Sequence, residues 1–180
     1  MGTPDGFVLA GGLGRRFGED KAAFVWRGLP LAVRTAVALR PWCGSVRVVR
    51  RVDQPARVWT WPGGGPLEEV RGLEGTRHAL WGVVVALRAA GSDLALIAPC
   101  DLWGLTEAHL RPLLEAGEGR AVGDEGEQPL LALIRTSRAD ALAAAAASGA
   151  RAREALADVR PVRVPALALA QANTRDALPG

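Results

Sequence analysis

Residues 6–21 read Gly6-Phe7-Val8-Leu9-Ala10-Gly11-Gly12-Leu13-Gly14-Arg15-Arg16-Phe17-Gly18-Glu19-Asp20-Lys21, a short apolar run that opens into a glycine-rich, basic loop. Gly6 to Ala10 has the length and continuous hydrophobicity of a strand buried on both faces, the kind found in parallel sheets. Four glycines, two arginines and the chain's one lysine then fall between Leu9 and Lys21. Glycine lets backbone N–H groups turn toward an anion and lets the backbone approach it with no Cβ in between. A strand feeding such a loop at the carboxyl edge of an α/β sheet is a natural seat for phosphates. Arg16 would bring a forked donor to a polyphosphate and Lys21 a compact point charge. The competing reading is a glycine-rich turn with solvated basic residues.

The spacing excludes two better-known loops. In a Walker loop the lysine follows glycine and precedes Ser or Thr, whereas Lys21 lies between Asp20 and Ala22. Gly12-Leu13-Gly14 begins a dinucleotide fingerprint, but its third glycine position falls on Phe17.

Outward from this loop, short apolar runs alternate with helical patterns, which predicts an α/β fold on a mostly parallel sheet. Helices are expected over 31–42, over 76–90 with Gly91 as its C-terminal cap, and over 106–116 behind an N-capping Thr106. An alanine-rich helix capped by Ser137 and packed closely on a neighbour should run to Ser148, and a short one over 151–158. Strands are expected over 45–51, 57–61, 93–100 and 130–135, with a last extended stretch over 161–168. Pro62-Gly63-Gly64-Gly65-Pro66 is the clearest loop.

The 180 residues suit one domain, expected over 1–180, with enough chain to bury a substantial core. A hydrophobic fraction of 49% with 23% charged residues, and no apolar run long enough for a membrane span, excludes membrane, fibrous and disordered classes. Two cysteines, Cys43 and Cys100, make no disulfide framework, and no secretory leader precedes Gly6, so a reducing, cytoplasmic location is expected. The net charge of +3 fits an anionic ligand. Arginines spread singly or in pairs, without interleaved aromatics, argue against nucleic acid. Of 22 basic residues 21 are Arg, and the chain has one Asn, Asn173, so the surviving Lys21 and Asn173 invite suspicion of chemistry.

Residues 9–31, Leu-Ala-Gly-Gly-Leu-Gly-Arg-Arg-Phe-Gly-Glu-Asp-Lys-Ala-Ala-Phe-Val-Trp-Arg-Gly-Leu-Pro-Leu, resemble the signature of the molybdenum cofactor guanylyltransferases, matching it at Gly11, Gly12, Arg16, Gly18, Asp20, Lys21, Gly28, Pro30 and Leu31. The resemblance implies a three-layer, Rossmann-like nucleotidyltransferase fold. It also implies transfer of GMP from GTP to the phosphate of molybdopterin with release of pyrophosphate, and transient contact with proteins that deliver the cofactor. Leu9, Ala10, Gly11, Gly12 and Lys21 would bind the nucleotide.

Asp101 closes the most hydrophobic run of the chain, Leu94 to Cys100. A carboxylate at the carboxyl end of a central parallel strand can hold Mg²⁺ against phosphate oxygens; the plainer reading is a capping Asp ahead of Thr106. The family carries Pro-Cys-Asp here, and the resemblance implies that Asp101 is the ligand for Mg²⁺, with Mn²⁺ as substitute. Cys100 and His109 are read as structural. Gln171-Ala172-Asn173-Thr174 resembles the family's closing Asn-x-Asn-Thr motif, which implies that Asn173 and Gln171 face the acceptor; a helix cap is the rival.

Two departures bear on the base. The family's Asp before Gly-Pro-Leu is missing near Arg71, leaving Glu69 or Glu74 for that role, and Val49-Arg50 stand where an Asn often follows the second strand. A cytidylyltransferase of the same pathway, a sugar-phosphate nucleotidyltransferase and a nucleotide-binding module without turnover therefore stay open at this point.

Overall fold

The computed structural model describes residues 2–12, 20–72, 78–102, 104–124 and 126–165. Seven strands form one sheet in the spatial order β11-β9-β10-β8-β1-β4-β7, from β1 (Asp5–Leu9), β4 (Val46–Arg51), β7 (Glu69–Gly72), β8 (Leu94–Pro99), β9 (Gly119–Gly123), β10 (Gly126–Arg135) and β11 (Pro161–Arg163). Of these β10 alone runs antiparallel to its neighbours. Two small hairpins stand apart from the sheet: β2 (Val25–Trp26) with β3 (Leu29–Pro30), and β5 (Trp59–Thr60) with β6 (Pro66–Leu67). The first turns through Arg27 and Gly28, both at positive φ, as a two-residue hairpin requires.

The strands alternate their side chains between two helical layers. Val8, Val48, Leu96, Ala98 and Leu133 face α1 (Leu31–Leu39) and α3 (Glu107–Ala116), where Ala36, Leu39, Leu110 and Leu113 complete one core. Phe7, Val49, Ile97 and Ile134 face α2 (Ala79–Ala89), α4 (Ala139–Ala147) and α5 (Ala152–Ala155) in the other. All six residues of β8 are buried, as expected for a central parallel strand covered on both sides. The alanine-rich α4 packs against α2, its small side chains allowing the close approach.

Local chemistry explains where elements begin and end. α1 stops at Leu39 and continues as a tight turn over Arg40–Trp42, because Pro41 lacks the N–H that would extend the α-helical ladder. The expected roles of two caps are corrected. Ser137 lies inside a 3-10 turn, Thr136–Arg138, and α4 starts at Ala139 behind Arg138. Gly91 is not left-handed; α2 ends at Ala89, and the Gly91 amide donates to Asp5 instead. The short helix over 151–158 is reduced to Ala152–Ala155. Thr106 does cap α3, in a reciprocal arrangement in which the backbone N–H of Thr106 donates to His109 Nδ1 at 3.0 Å.

At the amino ends of the strands, Asp5 binds three segments together. Its Oδ1 accepts from Ser45 Oγ at 2.6 Å, while Oδ2 accepts from the Gly91 and Ser92 amides at 2.7 and 3.1 Å. Burial opposes ionisation of this carboxyl, yet the donors from Ser45, Gly91 and Ser92, with Arg47 beside them, hold it below the usual carboxylate range. Asp5→Asn is therefore expected to cost about 2 kcal/mol at pH 7. A lowered folded-state value means the stabilisation is present above the ordinary value near 4 and is lost as pH falls through the folded one. Denaturant unfolding of both proteins at pH 7 and below pH 4 should show the gap closing in acid; a constant gap would contradict this assignment.

Candidate functional site

The parallel register aligns the carboxyl ends of three strands. Leu9 lies opposite Val49 of β4 on one side and Pro99 of β8 on the other. Two further backbone bonds extend the alignment, Ala10 N–H to the Val49 carbonyl at 2.9 Å and Cys100 N–H to the Leu9 carbonyl at 3.1 Å. From β1 the chain proceeds to β4 and β7 on one side, then returns to β8 on the other, so the order reverses between β1 and β8. Such a switch point opens a crevice at the strand ends, where α/β proteins bind ligands.

Lys21 and Asp101 meet at this crevice. Lys21 begins a one-turn 3-10 helix, Lys21–Ala23, held by Ala23 N–H on the Asp20 carbonyl at 3.0 Å and anchored by the buried Ala22. Its Nζ lies 2.7 Å from Asp101 Oδ2, and both side chains are 15% exposed, enough to reach solvent yet partly shielded from it. Asp101 Oδ1 is buried without a hydrogen-bond donor among the described residues. An orphaned carboxylate oxygen beside an ammonium is a poor final arrangement for folding alone and a suitable one for a cation. Among the described residues no three His, Cys, Asp or Glu side chains cluster as a metal cage. A magnesium ion held by one carboxylate and by substrate phosphate oxygens needs no such cage.

Behind Lys21 lies a cluster that the sequence reading passed over. Val46, Val48 and Arg50 share one face of β4, and Arg50 is 1% exposed, deep in an apolar layer. Its Nη2 is 3.0 Å from Asp20 Oδ2, its Nε is 3.9 Å from Glu69 Oε2, and its guanidinium lies over the Trp59 ring. Arg57 Nε also donates to Asp20 Oδ2 at 2.8 Å. Glu69 accepts from Trp59 Nε1 at 2.9 Å and from Arg71 Nε at 2.8 Å, so both its oxygens already have protein donors. Asp20 is thereby fixed by two arginines, and the next residue, Lys21, is fixed with it. An arginine in step with valines along a strand was the available signal, since such a residue must find carboxylates inside.

Of the nucleotide and metal residues expected from sequence, Leu9, Ala10, Gly11, Gly12, Lys21 and Asp101 come together here, and Glu69 joins them through Arg50 and Asp20. Arg16, Gln171 and Asn173 lie outside the described residues. Cys100 is buried, and burial first, then the Asp101 charge, raise its thiol well above the ordinary range, which leaves it unreactive. Burial likewise lowers the pKa of His109, which serves the α3 cap. Both keep the structural roles their sequence context suggested.

Comparison with known proteins agrees with this geometry. Residues 6–164 match the model of the MobA-like NTP transferase domain. A molybdenum cofactor guanylyltransferase of Burkholderia vietnamiensis is 33% identical over 163 residues, covering 81% of this chain and 77% of its own. One from Mannheimia succiniciproducens is 34% identical over 158 residues, covering 83% and 80%. Among solved structures, molybdopterin-guanine dinucleotide biosynthesis protein A of Archaeoglobus fulgidus superposes with a TM-score of 0.68 at 21% identity over 96% of this chain and 94% of that one. The 2-C-methyl-D-erythritol 4-phosphate cytidylyltransferase of Thermus thermophilus superposes with a TM-score of 0.65 at 21% identity over 93% and 91%. These two likenesses concern the fold, and that fold serves enzymes named for different nucleotides. The family match over most of the chain, joined to a lysine and a carboxylate at the switch point of the sheet, places the protein in the MobA-like NTP transferase family as a nucleotidyltransferase.

Proposed function

We propose that this nucleotidyltransferase acts in molybdenum cofactor biosynthesis, moving GMP from GTP to the terminal phosphate of molybdopterin and releasing pyrophosphate. The observation that carries the proposal is the Lys21–Asp101 pair at the switch-point crevice, with one Asp101 oxygen left unpartnered. It is supported by relatives named molybdenum cofactor guanylyltransferase at about one-third identity.

In this reading an acceptor phosphate oxygen bonds to the α-phosphorus of GTP as the bond from that phosphorus to the bridging oxygen of the β-phosphate breaks. The attacking oxygen is already anionic at neutral pH, so no general base is required. Positioning and charge neutralisation then carry the rate. The backbone of Leu9, Ala10, Gly11 and Gly12, with Arg16 and Lys21, holds the polyphosphate. Asp101 would hold Mg²⁺, or Mn²⁺ in its place, and the metal supplies charge neutralisation on the phosphate oxygens. Lys21 Nζ, 2.7 Å from Asp101 Oδ2, would turn its ammonium toward the phosphates in the loaded site. Glu69, through Arg50 and Trp59, forms the wall on the β4–β7 side. Gln171 and Asn173 orient the acceptor by hydrogen bonds.

Substitution tests the two central side chains separately. Asp101→Ala is expected to abolish Mg²⁺-dependent pyrophosphate release; activity that survives it would remove the metal assignment. Lys21→Arg should lower kcat/KM at least about tenfold, because a forked guanidinium cannot take the place of a compact ammonium beside Asp101. A fully active Lys21→Arg enzyme would refute that argument. Calorimetry with GTP and CTP, each with Mg²⁺, examines the base: GTP is expected to bind more tightly, and tighter CTP binding would overturn the guanine reading.

A further inference from the structure

The turn that follows β4 reaches back across the sheet to the backbone just beyond β1. Arg51 Nη1 donates to the Gly11 carbonyl at 3.3 Å. Gln54 Nε2 lies 3.4 Å from the carbonyls of both Ala10 and Gly12. Three successive carbonyls of the glycine loop are thus drawn to one side, toward the end of β4. The donors are themselves held. Gln54 Oε1 accepts from the Arg51 N–H at 3.0 Å, and the Gln54 N–H donates to the Arg51 carbonyl at 3.2 Å, so residues 51–54 close on themselves. Asp53 accepts from Arg51 Nε at 2.7 Å, which fixes the guanidinium. From β7, Arg71 donates to the Gln54 carbonyl at 3.0 Å and to the Val52 carbonyl at 3.4 Å. Gly11 has a matching requirement, since a Cβ there would come within 3.3 Å of Arg51 Cγ.

A planar trans peptide points its N–H opposite to its carbonyl, and the described chain has no cis bonds. Drawing the Ala10 and Gly11 carbonyls toward β4 therefore turns the N–H groups of Gly11 and Gly12 away from it, in the direction in which β8 and Asp101 lie. Two consecutive amides held on one side form a concave donor set for an anion. We propose that Arg51 and Gln54, braced by Arg71, are positioning residues that preset the glycine-loop amides for a polyphosphate. One of these positions, Arg71, stands near the Asp that the family pattern carries and this chain lacks.

This proposal rests on the reading of residues 9–12 as the phosphate loop, and the test separates it from the identity of the base. Gln54→Met keeps the side chain's length and neutrality but removes the donor; Arg71→Met removes the brace. Binding of inorganic tripolyphosphate and of GTP, each with Mg²⁺, is measured by calorimetry beside the thermal midpoint. Gln54→Met should weaken both ligands by the same factor, about fivefold, the scale of a neutral hydrogen bond. Arg71→Met should weaken both equally and by less. The midpoints should stay within about 2 °C of the parent, as for a partly exposed polar change. A loss for GTP alone would show that Gln54 or Arg71 contacts the nucleoside, and no loss for either ligand would show that the loop positions itself; either result overturns the proposal. If the native protein binds tripolyphosphate but not GTP, the guanine reading fails while the tripolyphosphate arm still decides the clamp. If it binds neither, the phosphate loop and the clamp fall together.

Discussion

The contact on which the site depends is the 2.7 Å approach of Lys21 Nζ to Asp101 Oδ2. Eighty positions separate the two in sequence, and only the parallel pairing of β1 with β8 brings them together. That pairing needs β8 to be apolar along its whole length, because helices cover both faces of the sheet. It also needs the Lys21–Ala23 turn to be pinned, which Ala22 does by packing and Asp20 by its two arginines. A buried guanidinium between Asp20 and Glu69 would be costly if either partner were lost, so the network resists rearrangement. What it holds still is the residue before Lys21.

Charge around the crevice is dense but matched. Lys21, Arg50, Arg51, Arg57 and Arg71 stand among Asp20, Asp53, Glu69 and Asp101, and each of these cations has a carboxylate close by. A pocket with unpaired cations would attract polyphosphate at the cost of stability without it. Here the cost is lowered by internal pairs, and in the proposed function the Lys21–Asp101 pair would give way to one ammonium on phosphate and one carboxylate available to a cation.

The elements that were legible in the sequence are those whose pattern is local. β1 and β8 announce themselves as apolar runs, β4 as an alternating one, α1, α2 and α3 as helically periodic ones, and the glycine loop by composition. β9 and β7 were missed because Gly119–Gly123 and Glu69–Gly72 are short and carry glycine and charge; their strand character comes from pairing with neighbours. β10 runs four residues further back than expected, through Pro129 and across a shift of register between Gln128 and Ala132, and a proline argues against a strand when read alone. In the site, Lys21 and Asp101 were legible by type and placement. Arg50 and the Arg51–Gln54 turn were not, because their meaning lies in partners at Asp20, Glu69 and the carbonyls of residues 10–12, which no spacing rule connects.

In the proposed nucleotide site Lys21 and Asp101 act as one unit, and a double-mutant cycle on the affinity for GTP with Mg²⁺ measures that coupling. Lys21→Met and Asp101→Asn should each weaken binding, and the double variant should depart from the sum of the two losses by about 0.5–3 kcal/mol, as for side chains in direct contact. Strictly additive losses, or binding that neither substitution weakens, would contradict the account.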